Sequence, residues 1–145
     1  MNVKIGDNEY NVPDDLKYNK AHQWAKVEGD NVIVGITDFA QKTLKEIIFV
    51  EFLQDVGDTT EAGIGKKPPT DPFGTVESTK GVSEVFSVVN GEIVEKNEAL
   101  EDDPEAINGD CYGEGWMIKV SPTDKDSDLG NALDAKGYSD FIKSI

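Results

Sequence analysis

Arginine is absent from the sequence: all 14 basic residues are lysines, against 29 aspartates and glutamates, and the formal net charge at pH 7 is −15. A nucleic-acid-binding surface needs clustered positive charge to displace counterions from phosphates, and binding to an anionic membrane surface needs the same. The composition therefore disfavours both partners. It favours solubility and electrostatic steering toward basic protein surfaces.

Cysteine and histidine each occur once, as Cys111 and His22. One cysteine excludes an intrachain disulfide and a thiolate pair, and one histidine excludes a histidine-based metal cluster, so we expect no metal site. Any redox chemistry must come from an attached group. His22 lies in KYNKAHQW beside aromatic residues, and we interpret it as a packed structural residue rather than a catalyst.

Long apolar runs are also missing. No segment approaches the roughly 18 uninterrupted apolar residues of a membrane-spanning helix. The segment MNVKIGDNEYNV has neither the basic region nor the apolar region of a secretory signal. We therefore expect a cytoplasmic protein.

Two short motifs resemble known sites without having their spacing. GIGKKPPT does not match a phosphate-binding loop, and Pro68, Pro69 and Pro72 indicate an exposed loop instead. DKDSDLG starts like a calcium loop, but Leu129 and Ala135 stand where that loop requires Gly and Glu. Carboxylate pairs for glycoside hydrolysis stay open, although no aromatic cluster accompanies them.

The sequence does contain many short apolar segments separated by Gly, Asp and Asn. About eight short strands with minor helices predict a mainly β sandwich or barrel, formed as a single domain over 1–145. Residues 1–15 form an N-terminal extension with a small hairpin, and 126–145 form a C-terminal helical segment. Thr37 is expected to cap a short helix that ends at Leu44. IIFVEFL is interpreted as a buried strand.

One lysine occupies an unusual position between two apolar strands. Lys80 lies in ESTKG, between FGTVES and SEVFSVV, and Glu77 lies three residues before it. A lysine is most often a solvated charge with a pKa near 10.4, so exposure alone means little. A lysine displayed on a rigid hairpin tip, however, suits an enzyme that must acylate one lysine and ignore the others.

Several motifs in order resemble the glycine cleavage system H protein family over about Leu16 to Phe141. They are KYNKAHQW, VGITDFAQKTL, IIFVEFL, VGDTTEAG, FGTVESTKGVSEV, NGEIVEKNEALEDDPEAIN and YGEGWMIKV. The resemblance implies a barrel-sandwich hybrid of the biotinyl/lipoyl-carrier type, with short peripheral helices and a C-terminal helix.

The resemblance also implies a cofactor. The family's lysine motif, usually close to E-S-V-K-A, reads ESTKG here, so Lys80 is the expected site of amide-linked lipoate. Glu77 and Gly81 are expected to aid recognition by the attaching enzyme. Biotin carriers typically flank their lysine with methionines, whereas this chain has Thr79 and Gly81.

The function implied by the resemblance is transport without catalysis. The lipoyl-lysine arm shuttles the aminomethyl group of glycine from glycine decarboxylase to the aminomethyltransferase, and dihydrolipoamide dehydrogenase reoxidises it. Together with a lipoate-attaching enzyme these are the expected partners of a monomeric chain. Two alternatives remain: a similar lipoyl carrier in another pathway, such as sulfur oxidation or a lipoyl relay, and an unmodified interaction module.

A cleft for the loaded arm is implied at Ala21, His22, Gln23 and Glu84. The family's common H-E-W reads HQW here, so Gln23 replaces a carboxylate that could hold a protonated amine. Ala21 stands where a hydroxyl is often found, whereas Glu84 matches the usual acid. Residues 64–72 contain an insertion that lengthens the connection before the lysine hairpin.

Overall fold

A computed structural model describes residues 1–62 and 71–145. These residues form eleven strands and five helices: β1 (Asn2–Ile5), β2 (Asn8–Asn11), β3 (Lys17–Tyr18), β4 (Gln23–Glu28), β5 (Asn31–Ile36), α1 (Asp38–Leu44), β6 (Ile47–Phe52), β7 (Thr59–Thr60), β8 (Gly74–Ser78), β9 (Gly81–Val85), β10 (Gly91–Lys96), α2 (Ala99–Asp102), α3 (Ala106–Gly109), β11 (Ile118–Pro122), α4 (Lys125–Asn131) and α5 (Ala135–Ser144). GIGKKPPT, with the loop predicted at Pro68 and Pro69, lies outside the described residues, as does most of the 64–72 insertion.

Two antiparallel sheets enclose the main core. Six strands follow the order β3-β4-β5-β11-β10-β7, and three follow the order β6-β8-β9. Because strand side chains alternate between faces, each sheet directs one apolar face inward. The fully buried residues of this core include Val34, Phe73, Val76, Ile93 and Val120. The mainly β fold class with minor helices is confirmed.

The sequence prediction for IIFVEFL is only partly right. A strand forms, but only Ile47 and Val50 of β6 are buried, while Ile48 and Phe49 are 48% and 45% exposed. A register shift in the pairing with β8 lies between Ile47 and Phe49. The extra residue of this bulge, on a strand at the edge of its sheet, directs apolar side chains toward solvent. A periodicity argument cannot detect such a bulge.

The helix α1 begins as predicted. The Thr37 hydroxyl accepts a hydrogen bond from Ala40 N at 3.2 Å, which satisfies a free amide of the first turn. At the other end, Lys45 N donates to Gln41 O at 3.0 Å, and Lys45 has φ 70° and ψ −141°. The helix therefore ends on a residue held in a conformation that favours glycine.

A second cluster packs α5 and the N-terminal hairpin against the outside of the larger sheet. It contains Val3, Val12, Leu16, Tyr18, Trp24, Ile33, Ala135, Tyr138 and Ile142. The rings of Tyr18 and Tyr138 are stacked with centroids 4.6 Å apart. In the described ranges, no helix is long and apolar enough to cross a membrane.

Candidate functional site

The structure places Lys80 at the tip of the β8–β9 hairpin. Ser78 pairs with Gly81, so Thr79 and Lys80 form a two-residue turn. Lys80 N donates to Ser78 Oγ at 3.1 Å, and Ser78 Oγ lies 3.3 Å from Gly81 O. Thr79 N donates to Glu46 O at 3.2 Å, which ties the tip to the start of β6. The backbone beneath Lys80 is thus fixed while its side chain is exposed.

Gly81 has a conformational role in this turn. Its φ is 143°, in the region that side-chain-bearing residues rarely adopt, although a Cβ built there would meet nothing within 4 Å. The glycine is therefore required by backbone geometry and not by space. Glu77 pairs with Phe49 on one side and Val82 on the other, on the outer face of the three-stranded sheet. Both Glu77 and Gly81 thus lie next to the tip.

An apolar cleft of about 140 Å³ lies between α1, β9 and the loop before β4. A second, polar cavity of about 500 Å³ lies beside the C-terminal end of α1, and Lys80 is one of its lining residues. Thr43 lines both, so the two spaces adjoin. The cleft is lined by Ala21, His22, Gln23, Ile36, Phe39, Ala40, Thr43, Leu44, Ser83 and Val85.

His22 is both structural and part of this cleft. Its Nδ1 lies 2.9 Å from the Tyr138 hydroxyl, and its ring centroid lies 4.9 Å from that of Phe39. Burial lowers the pKa of His22, because the charged imidazolium loses hydration. The prediction of a packed, hydrogen-bonded histidine is confirmed. Its φ of 68° is an unfavourable backbone conformation that the surrounding contacts maintain.

Gln23 lines the cleft, but its amide is already engaged. The side chain accepts from Asn19 Nδ2 at 2.9 Å and donates to Ala21 O at 2.9 Å, and the residue is only 2% exposed. These bonds leave Gln23 as a structural part of the wall. The family resemblance implies that the side-chain end of residue 23 contacts the arm, but the amide of Gln23 is directed into the protein.

Glu84 does not join the other predicted cleft residues. It pairs with Thr75 on the exposed face of β9, whereas its neighbours Ser83 and Val85 line the cleft. Sequence reasoning missed Phe39 and Leu44, which α1 brings across from β9. The alternation of side chains along SEVFSVV could have separated Glu84 from Val85, but the contact with α1 depends on tertiary packing.

Comparison with known proteins gives one consistent result. The family model described as "Glycine cleavage H-protein" matches residues 16–145. A glycine cleavage system H protein of Bacillus licheniformis is 48% identical, over 91% of this chain and 97% of its own length. One from Anaeromyxobacter sp. (strain K) is 46% identical, over 91% of this chain and 96% of its own length. The crystal structure of a glycine cleavage system H protein from Mycobacterium marinum has a TM-score of 0.75 and 38% identity, covering 89% of this chain and 97% of that one.

Proposed function

The chain belongs to the glycine cleavage H-protein family, and from this membership we propose that it is a non-catalytic lipoyl carrier with lipoate in amide linkage to Lys80. Its cargo is the aminomethyl group of glycine. The observation that carries the assignment is Lys80 itself, exposed on a turn whose backbone is held by Ser78 and Glu46. Such a tip presents one lysine in a fixed place, which allows selective acylation.

The apolar cleft fits the far end of a long, mostly apolar arm on Lys80. Lys80 lines the polar cavity, which shares the lining residue Thr43 with the apolar cleft, and the walls of the cleft include Ile36, Phe39 and Leu44. Lipoate, when attached, supplies a dithiol that takes up and releases the cargo. The chain's own residues fix the base of the arm and provide an apolar surface that excludes water from its far end.

The partners we propose are those of a carrier that visits several enzymes. They are glycine decarboxylase, the aminomethyltransferase, dihydrolipoamide dehydrogenase and a lipoate-attaching enzyme, and the carrier itself is monomeric and cytoplasmic. The charge of −15 favours docking on basic surfaces. A tethered arm keeps its reactive end at high local concentration near each docked active site.

The test is the intact mass of the chain produced in cells that attach lipoate. The native chain is expected to gain one lipoyl group, and Lys80→Arg none, because the guanidinium cannot accept the acyl group. Lys26→Arg, an exposed lysine on β4, is the matched control and should be modified normally. A lipoyl group on Lys80→Arg would contradict the assignment, and an unmodified native chain would favour the interaction-module alternative.

A further inference from the structure

The polar cavity beside Lys80 has a composition unlike the rest of the chain. Aspartate and glutamate outnumber lysine by 29 to 14 in the sequence, yet among the described residues that line the cavity three of eight are lysines and none is acidic. The volume is about 500 Å³, and the lining consists of Asn8, Tyr10, Gln41, Lys42, Thr43, Lys45, Lys80 and Asn108. The carrier role described above uses Lys80 as the attachment site but gives Lys42 and Lys45 no task.

One wall of the cavity comes from outside the family match. Asn8 and Tyr10 belong to the β1–β2 hairpin, whereas the matched residues begin at 16. Three hydrogen bonds fix this hairpin: Asn11 N donates to Asp38 Oδ2 at 2.9 Å, Lys42 Nζ to Glu9 O at 2.8 Å, and the Tyr112 hydroxyl to Asn11 O at 2.7 Å. The hairpin is therefore held in a fixed position, where it forms one wall of the cavity.

Lys45 is held toward this cavity in an unfavourable backbone conformation. Asn108 donates from Nδ2 to Lys45 O at 2.8 Å and accepts from Ile47 N at 2.8 Å through Oδ1, which fixes the segment on both sides of Glu46. Glycine is the residue that such a φ favours. Among the described residues, only His22 and Lys45 combine a side chain with positive φ, and each lines one of the two adjoining cavities. Strain of this kind is typical of functional positions.

The three lysines do not contribute equally. Lys42 Nζ forms an ion pair with Asp38 Oδ2 at 3.1 Å, so its charge is largely compensated. Within residues 1–62 and 71–145, neither Lys45 nor Lys80 has an ion-pair partner within 4.0 Å. These two ammonium groups leave the cavity with positive charge that an anion can compensate.

We propose that this cavity binds a phosphate group next to the amine of unmodified Lys80. Lysine ammonium groups bind phosphate as point charges, and the Asn8 amide and Tyr10 hydroxyl can add hydrogen bonds. Two sources supply such a group: free phosphate or nucleotide in solution, and a phosphate-activated acyl donor. We assign it to the donor, an assignment that rests on the proposed function.

The reaction to which we assign this phosphate site is the acylation of Lys80. The Lys80 ammonium first releases a proton to solvent. The lone pair of the resulting amine then forms a bond to the acyl carbon of an acyl adenylate, and the bond from that carbon to the phosphate oxygen breaks. The adenylate leaves with the electron pair, and the amine proton passes to solvent. Lys45 compensates the charge on the leaving phosphate. Since the amide product is neutral, modification removes one of the two cations and lowers affinity for the released phosphate.

Binding is tested by titrating the unmodified, ¹⁵N-labelled chain with inorganic phosphate and with AMP at constant ionic strength. Saturable amide shifts are expected at Asn8, Lys45 and Lys80 with both ligands. Lys45→Gln should weaken binding about fivefold, as should lipoylation of Lys80, whereas Lys26→Gln should change it less than about twofold. Lys45→Gly keeps the backbone conformation, so weaker binding there cannot be due to unfolding. Absence of saturable shifts, or equal weakening by Lys26→Gln, would overturn the site.

The source of the phosphate is tested by non-enzymatic acylation of Lys80, followed by intact mass. Octanoyl adenylate and an uncharged octanoyl thioester are compared. Lys45→Gln should slow acylation by the adenylate at least about threefold more than acylation by the thioester. Equal slowing with both donors would overturn the donor assignment and leave a site for free phosphate. Failure of lipoylation in cells would overturn the proposed function without affecting the phosphate titration.

Discussion

At the residue scale, His22 connects the apolar cleft to the cap of α1 and makes the stability of the protein depend on pH. Its ring reaches the Tyr138 hydroxyl, which in turn lies 2.7 Å from Thr37 Oγ1, the cap of α1. Since burial lowers the pKa of His22 below 6.5, the unfolded chain binds its proton more tightly than the folded chain. The stabilisation that the neutral His22 ring contributes to the folded state is fully present above pH 6.5. It declines as the pH falls toward the pKa of His22 in the folded chain.

The corresponding prediction compares the native chain with His22→Asn, because Asn tolerates positive φ. Denaturant unfolding between pH 7.5 and pH 5.5 is expected to show a larger loss of stability for the native chain than for the variant. Parallel pH profiles for the two proteins would show that His22 stays equally protonatable in both states.

Gln23 supports a second residue-scale prediction. In Gln23→Glu, a carboxylate oxygen replaces the amide that donates to Ala21 O, so two acceptors face each other in a site 2% exposed. We expect a loss of about 1–3 kcal/mol at pH 8. Burial beside an acceptor raises the pKa of the introduced carboxyl, and a protonated carboxyl can donate to Ala21 O. The loss should therefore shrink as the pH falls toward 5, measured by denaturant unfolding.

A pH-independent stability difference would indicate that the introduced side chain turns out of the wall. The variant also tests the expectation drawn from HQW, that a carboxylate at position 23 retains an aminomethyl-loaded arm. Because the side chain is bonded to Asn19 and Ala21, we expect decay of the loaded arm to be governed by cleft packing and not by a contact with a carboxylate.

At the element scale, the Ser78 hydroxyl and Glu46 O together hold the tip of the β8–β9 hairpin. Ser78→Ala removes the acceptor of Lys80 N, in a side chain that is 5% exposed. The expected cost is about 1 kcal/mol, concentrated at the tip. Hydrogen exchange of the Lys80 amide should become faster, and lipoylation slower. Ser121→Ala, an exposed serine of β11, is the control. Unchanged exchange at Lys80 would show that Glu46 alone holds the turn.

Local elements were predictable because local rules govern them. The helix after Thr37 and the hairpin around Lys80 follow from capping and turn chemistry. The strand β7 was missed, since Thr59–Thr60 has no apolar alternation and is recognisable as a strand through its pairing with β10. The cleft was only partly foreseen, because tertiary packing brings Phe39 of α1 and Val85 of β9 into the lining of the same cleft.

At the scale of the whole molecule, the N-terminal hairpin is an addition to a fold that matches its family from residue 16 onward. Val3 and Tyr10 are 3% and 9% exposed, and Tyr10 packs on Phe39 with centroids 4.9 Å apart. Through Phe39 the hairpin supports a wall of the apolar cleft. The hairpin is also hydrogen-bonded to α1, and it therefore connects the N-terminal residues with both cavities.

Removal of residues 1–11 tests whether this support serves stability or modification. Two largely buried side chains are lost, at about 1.5–3 kcal/mol each, so denaturant unfolding should show a loss of several kcal/mol. Lipoylation of Lys80 in cells should persist, because Ser78 and Glu46 hold the tip independently of the hairpin. The single change Tyr10→Ala separates the effect of opening the cavity wall from the effect of losing Val3, because it removes the Tyr10 ring and keeps Val3 in place. Truncation that abolishes lipoylation while the purified chain remains folded would instead make the hairpin part of the surface that the attaching enzyme recognises.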